Sequence, residues 1–341
     1  MSRQRRDPLA LAIRCATRIA SYPYGAVVRL RNRRYDRGKA PIGRADVPVI
    51  SVGNITTGGT GKSPMVAWIA RLLRDEGLRV ALISRGYGAA AGMVNDEALE
   101  LEERLPDVPH VQNPDRVQAA AVVVEELETE VILLDDGFQH RRLHRDLDIV
   151  LIDATCPFGY QALLPRGLLR EPLSSLKRAD VVVLTRSDAV SDDQRDQIQK
   201  TVSRYATNAT WVSSVHAPSR LRSFGNDDQP LETIANQEVL VFSAIGNPSA
   251  FSQTVRQCGA KIVAEKQFPD HHRYNRNDIE TLIAWAGRYP TATSFVCTHK
   301  DLVKLKADRL GRLPLFAICI DMQITEGEEA LRKQILSIAR R

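Results

Sequence analysis

The stretch Gly58-Gly59-Thr60-Gly61-Lys62-Ser63 constrains this chain more than any other. It follows an uncharged, β-branched run at 47–52 and opens a helical pattern with Pro64 in its first turn. That pattern places Val66, Ile69, Ala70 and Leu73 on one side and stops at Gly77. Strand, glycine-rich turn and helix start together form the context of a phosphate-binding loop. The glycines let backbone N–H groups converge on phosphate oxygens, and the helix start adds partial positive charge. Lys62 is expected to reach the β- and γ-phosphates and the Ser63 hydroxyl to ligate Mg²⁺. The strict GxxxxGK[ST] pattern wants glycine at position 56, where this chain has Thr56. The loop is therefore read as a variant, with Thr56, Thr57, Gly58, Gly59, Thr60, Gly61, Lys62 and Ser63 as its ATP-binding residues.

Around this loop the sequence alternates short apolar runs with helical patterns, which predicts an α/β fold with a parallel sheet. Strands are expected at 47–52, 80–84, 131–135, 149–153 and 181–185, all continuous apolar runs suited to burial on both faces. A polar, turn-rich stretch at 217–237 reads as a linker. Beyond it a second α/β set is expected: strands at 239–243, 261–264, 294–298 and 315–320, helices near 248–258 and 277–288, and a closing helix at 328–340. The predicted organisation is a basic arm at 1–44, a P-loop lobe at 45–216, the linker, and a smaller α/β lobe at 238–341. Two lobes joined by a linker suggest a ligand held between them.

The net charge of +6 is unevenly spread. Residues 1–44 carry 12 Lys/Arg and 2 Asp/Glu, while the rest carries 35 basic and 39 acidic side chains, a balance of −4. Basicity belongs to the arm, which argues against a nucleic-acid-binding body and for an arm that touches something anionic. The longest uncharged stretch in the arm is 19–28, interrupted by Pro23 and Gly25, whereas a membrane span needs about 20 apolar residues. Leu9, Ile13, Ala16 and Ala20 recur at helical spacing, with Arg14 and Arg18 on another side. Two readings stay open: a helix in the membrane interface, its arginines on lipid phosphates, or a helix packed on the protein itself. Five scattered cysteines without a CxxC pair exclude a disulfide framework and fit a reducing compartment.

The run at 131–134 ends in Asp135-Asp136-Gly137, and a strand ending in aspartate is how P-loop proteins place a carboxylate near the metal of the loop serine. Gln139 and His140 follow. Thr185-Arg186-Ser187-Asp188 faintly resembles the base-reading TKxD of some GTPases, but an ordinary strand-end turn explains it better.

Several segments together resemble the tetraacyldisaccharide 4′-kinase family of lipid A biosynthesis. They are Gly53-Asn54-Ile55-Thr56 leading into the phosphate loop, Ser84-Arg85-Gly86-Tyr87-Gly88, and Asp135-Asp136-Gly137-Phe138-Gln139-His140. Leu164-Pro165 through Leu169-Arg170-Glu171-Pro172 is similar to that family's LPxGxLREP stretch, and Phe268-Pro269-Asp270-His271-His272 to its FPDHH motif. The likeness runs from 33–38 in the arm to about Lys304. It implies a peripheral kinase on the cytoplasmic face of the inner membrane, held there through residues 1–30. ATP and Mg²⁺ would phosphorylate the 4′-hydroxyl of a tetraacylated glucosamine disaccharide 1-phosphate. It implies a dyad of Asp96 and His271 at that hydroxyl, although Asn95 and Ala98 stand where the family usually has glycine and proline. It also places metal ligands at Asp136 and Glu171, with Asp135 adjacent. Arg85, Gln139, His140 and Arg170 are then candidates for the substrate cleft. Thr298-His299-Lys300-Asp301 is similar to the family's TEKD stretch, with His299 replacing glutamate, and receives no role here. An alternative from another class is a P-loop switch whose hydrolysis changes affinity for a protein partner.

Overall fold

The computed structural model describes residues 8–86, 96–225, 228–270 and 272–341; the side chains of 8–10, 12, 96 and 97 are not among those described. Two compact units emerge, one within Met1–Gly86, Asp107–Val215 and Met322–Arg341, the other within Tyr87–Pro106 and His216–Asp321. The chain starts with α1 (Pro8–Asp36), β1 (Val49–Asn54), α2 (Lys62–Asp75), β2 (Val80–Ser84) and α3 (Asp96–Arg104). It continues with β3 (His110–Gln112), α4 (Arg116–Leu127), β4 (Val131–Asp135), β5 (Leu147–Asp153), β6 (Val181–Thr185), α5 (Asp192–Ser203) and β7 (Thr210–Arg222). The second half holds β8 (Glu238–Ser243), α6 (Pro248–Gln257), β9 (Lys261–Gln267), α7 (Arg276–Ala286) and β10 (Ser294–Thr298). It closes with α8 (His299–Leu305), β11 (Arg309–Leu310), β12 (Leu313–Glu326) and α9 (Glu328–Ala339). All five cysteines are free thiols.

In the first unit the strand order is β3-β2-β4-β1-β5-β6-β7, and every pair is parallel. β1, β2, β4 and β6 are buried along their whole length, as continuous apolar runs require when helices cover both faces. One core cluster joins Val49, Ile83, Val123 and Leu134; another joins Ile55, Phe138, Val150 and Leu184. The order places β1 between β4 and β5, so the loop after β1 and the turn after β4 leave the same edge side by side. That edge, beyond the carboxyl ends of parallel strands, is where open α/β sheets bind ligands.

The second unit has parallel strands in the order β12-β10-β8-β9, with β11 antiparallel to β12. Phe242, Phe295, Leu302 and Leu315 centre its core.

The structure corrects the predicted domain boundaries. Residues 217–222 belong to β7, and Arg220, Arg222 and Asp228 within the expected linker are ion-paired. Arg220 pairs with Asp321 and Asp228, and Arg222 also pairs with Asp228. A run of charges signals a linker only where the charges have no fixed partners. The closing helix α9 belongs to the first unit, not the second lobe. It packs on α2, buries Leu331 and Ile335, and lays Arg332 over the Trp68 ring at 5.5 Å.

The arm is one helix of 29 residues that continues through Pro23. Proline there removes the N–H that would bond to the Ile19 carbonyl and its ring crowds that carbonyl, but Ile19 is exposed, so water can satisfy the freed oxygen. The second half of the helix is built into the first unit. Tyr24 Oη donates to the Arg170 carbonyl at 2.9 Å, a Cβ on Gly25 would meet Leu163, and Asn32 is buried.

At Gly53 an added Cβ would lie 2.6 Å from Phe138 Cβ and 2.8 Å from its backbone nitrogen. The turn after β4 therefore approaches β1 as closely as only glycine permits. Gly53→Ala should destabilise the protein by about 1–3 kcal/mol through overpacking, read as an earlier urea midpoint; an unchanged midpoint would contradict this close approach.

Candidate functional site

The phosphate loop departs from the strict pattern because its first half is a strand-like bridge rather than a tight turn. Thr56 pairs antiparallel with Leu169, Thr57 N donates to the Leu168 carbonyl at 2.8 Å, and Arg170 N donates to the Ile55 carbonyl at 2.8 Å. Extended backbone suits threonine, so glycine is not needed at 56. Left-handed geometry is confined to Gly58 (φ 114°) and Gly61 (φ 89°), where glycine does stand. A Cβ on Gly58 or Gly59 would meet nothing within 4 Å, which leaves the loop backbone open to a ligand.

Two residues passed over in the sequence hold the second half of the loop. Asn54 Nδ2 donates to Thr60 Oγ1 at 2.9 Å, and Thr185 Oγ1 donates to the Thr60 carbonyl at 2.9 Å. Thr185 is fully buried, which gives the strand-end turn of β6 a buttressing role and leaves no ground for base reading. Gly61 caps α2, so Lys62 and Ser63 are the first two helical residues, with Ser63 largely buried.

Lys62 meets the turn after β4. Its Nζ lies 3.9 Å from Asp136 Oδ1, while Arg170 grips the same carboxylate with both arms, Nη1 to Oδ1 at 2.7 Å and Nη2 to Oδ2 at 3.0 Å. Bidentate pairs of this kind combine strength with fixed geometry. Arg170 Nη1 also reaches Asn54 Oδ1 at 3.3 Å. Burial pushes the Asp136 carboxyl up, but the Arg170 hydrogen bonds and the charges of Lys62, Arg170 and Arg116 outweigh it and hold it below the usual carboxylate range. Arg116, buried at the start of α4, carries no motif signal and was missed. Asp135, in register beside Val52, is buried at the end of β4.

Gln139 and His140 extend from the same turn. Gln139 Nε2 donates to the Asn54 carbonyl at 2.8 Å, and Arg31 of α1 donates to the Gln139 carbonyl. Burial, with Arg116, Arg142, Arg145 and Arg31 adding to it, pushes His140 down to about 4. His140 is therefore neutral at physiological pH. Arg85 stands exposed just past β2.

Glu171, the residue after Arg170, has partners of its own. Its Oε2 accepts from Asn32 Nδ2 at 3.0 Å and from Arg178 Nη2 at 2.9 Å. Burial pushes its carboxyl up, yet Arg178, Ser175 and Asn32 together hold it low. Oε1 is buried and has no hydrogen-bond partner among the described residues. Among the described residues no three His, Cys, Asp or Glu side chains form a ready cage for a metal. Mg²⁺ does not require one, because it takes one or two carboxylates and completes its shell with water and phosphate oxygens. The hard oxygens of Ser63, Asp135 and Asp136, and the unpartnered Glu171 Oε1, fit that ion.

On the acceptor side, the Asp96 side chain and His271 lie outside the described residues. α3 begins at Asp96. His272, next to position 271, is structural: Nε2 is 2.9 Å from Asp278 Oδ2 and its ring stacks on Phe268 with centroids 4.9 Å apart.

Comparison with known proteins places this geometry. A family model described as LpxK, tetraacyldisaccharide-1-P 4′-kinase, matches residues 13–340. A tetraacyldisaccharide 4′-kinase of Anaeromyxobacter sp. (strain K) is 36% identical over 348 residues, covering 96% of this chain and 92% of the relative. The protein of that name in Geobacter sulfurreducens is 37% identical, covering 88% and 86%. Among solved structures, LpxK from Aquifex aeolicus in complex with ATP superposes with a TM-score of 0.77 at 30% identity, covering 96% of this chain and 99% of its own.

The neutral histidines predict a pH effect. His140 and His110, the latter also pushed to about 4 by burial, are depressed from an ordinary 6.5. Between those values the unfolded chain binds more protons than the folded one, so stability is full above about pH 6.5 and falls as pH drops toward 4. Urea unfolding at successive pH values should show this slope, and His140→Gln should flatten it; an identical slope in the variant would place His140 elsewhere.

Proposed function

Because the chain belongs to the tetraacyldisaccharide 4′-kinase family, we propose that it transfers the γ-phosphoryl group of ATP to the 4′-hydroxyl of a tetraacylated glucosamine disaccharide 1-phosphate. The product is lipid IVA, the next precursor of lipid A. The observation that carries the reading is the convergence of Lys62 and Arg170 on Asp136 at the mouth of the phosphate loop. Before nucleotide binds, the single Asp136 carboxylate serves both cations and leaves a net positive charge at the loop mouth. On binding, Lys62 is positioned to turn from Asp136 to the β- and γ-phosphates, following charge as it develops in the transition state. Ser63, Asp135, Asp136 and Glu171 would hold Mg²⁺, which when bound neutralises charge on the phosphate oxygens.

At the acceptor, Asp96 accepts the proton of the 4′-hydroxyl while its oxygen bonds to the γ-phosphorus. The bond to the bridging oxygen breaks and ADP departs. His271 tunes and orients Asp96; general-base help of this kind is worth roughly 10²–10⁴-fold. A protein-partner switch would need hydrolysis indifferent to a sugar acceptor, and nothing in the site favours it.

The helix α1 supports a peripheral seat on an anionic membrane. No described helix is long and apolar enough to cross a membrane, but Leu11, Ile19, Tyr22, Val27 and Leu30 are all exposed on α1, with Arg18, Arg29 and Arg33 exposed beside them. Apolar side chains entering the interface and arginines on lipid phosphates would hold the protein at the cytoplasmic face of the inner membrane, where the acylated acceptor resides.

Two outcomes test this. Lys62→Ala should lower acceptor-dependent ADP release by about 10²-fold or more while the fold survives; near-normal release would end the reading. Deleting residues 1–22, which spares Tyr24 and Asn32, should reduce binding to phosphatidylglycerol vesicles by about ten-fold or more. ATP affinity should stay the same. Unchanged vesicle binding would place the membrane contact elsewhere.

A further inference from the structure

Thr298-His299-Lys300-Asp301 lies outside the phosphate loop, and no step above uses it. In the second unit this turn faces two elements at once. On one side, His299 Nε2 lies 3.4 Å from Glu103 Oε2 and Lys300 Nζ lies 3.7 Å from Glu100 Oε2, both acceptors on α3. Glu100 is itself fixed by Arg104, whose guanidinium also meets Asp321 at 3.1 Å. α3 packs on α8, with Ala98, Leu101 and Leu105 buried.

On the other side, Asp301, fully buried, accepts from Tyr274 Oη at 3.0 Å, from Thr298 Oγ1 at 2.6 Å and from the Ala244 backbone N–H at 3.2 Å. Lys304, one turn on, donates to the His272 carbonyl at 3.4 Å. Tyr274 in turn packs edge-on against Phe268 and His272. Capping of α8 accounts for Thr298 and for the Asp301 N–H, which donates to Thr298 Oγ1 at 3.3 Å. It does not account for a buried carboxylate that gathers a tyrosine hydroxyl, nor for two basic side chains directed at one helix.

We propose that the turn 298–301 is a positioning element for the acceptor side of the reaction. Through His299 and Lys300 it seats α3, which begins at Asp96. Through Asp301, with Lys304 one turn on, it holds Tyr274 and the His272 carbonyl just after position 271, and Tyr274 in turn packs on Phe268 just before it. The proposal rests on the reading of Asp96 and His271 as the acceptor-side pair. One rigid turn then sets the register of the two segments that carry them, which is what a reaction sensitive to displacements of an ångström demands. In this role the residues act through others and are positioning residues.

The test uses Lys300→Met and Tyr274→Phe in the full-length protein, since both remove a tether without leaving a charge buried alone. Each should lower kcat by about ten-fold, with KM for ATP and directly measured ATP affinity kept within about two-fold, because misplacement rather than lost binding is the defect. Lys300→Arg should recover most of the loss. In an Asp96→Asn background the same two substitutions should change kcat by less than about two-fold, since groups acting as a unit are not additive. The positioning proposal fails if Asp96→Asn is impaired while either tether variant turns over normally. It also fails if kcat and ATP affinity fall together, or if the loss is undiminished in the Asp96→Asn background. A fully active Asp96→Asn would overturn the reading of Asp96 itself, and the proposal with it.

Discussion

The site depends on one carboxylate held by two cations. Asp136 sits in a left-handed conformation directly after β4, and its side chain is gripped by Arg170 and approached by Lys62. That contact joins three segments distant in sequence: the turn after β4, the start of α2 and the segment at 163–171. The last of these also forms the backbone bridge to Thr56 and Thr57, and carries the carbonyl that Tyr24 of α1 bonds. Without Asp136, two partly buried cations would lie near each other without the carboxylate that both of them contact, and like charges in a partly desolvated site destabilise one another. On the function proposed above, phosphate oxygens would replace the carboxylate as the partner of Lys62.

α1 is therefore two things along its length. Its final third supports the catalytic edge: Asn32 bonds Glu171, Arg31 bonds the Gln139 carbonyl, and Asp36 pairs with Arg141 and Lys177. Its earlier residues present large apolar side chains to solvent. Of the two readings left open by the sequence, the packed helix holds for the later part, and the exposed apolar side chains are what the interfacial reading proposed above rests on.

Much of this was legible because buried parallel strands read as unbroken apolar runs. The strands at 80–84, 131–135, 181–185 and 294–298 coincide with β2, β4, β6 and β10. The phosphate loop was legible for a different reason, since glycine, lysine and serine at fixed spacing have few other uses. What escaped notice was polar structure. β7 carries Ser213, Ser214, His216 and Pro218, so it lacks the apolar signature, and its far end is held by ion pairs invisible in a linear pattern. Asn54, Thr185, Arg116 and Arg178 act through partners 6, 125 and 20 residues away and, for Arg178, through Glu171 and the Phe138 ring. Only tertiary structure creates such pairings. The structural role of His272 shows only in its neighbours, Asp278 and Phe268.

The central claim is that the γ-phosphoryl group goes to a sugar hydroxyl and not to water. The direct measurement supplies the purified protein with Mg²⁺, γ-³²P-labelled ATP and the tetraacylated disaccharide 1-phosphate, then separates lipid from aqueous phosphate. The account predicts that label enters the lipid as a second phosphate monoester at the 4′ position, with one ADP formed per lipid labelled. Label appearing as inorganic phosphate at the same rate with or without the lipid would contradict it.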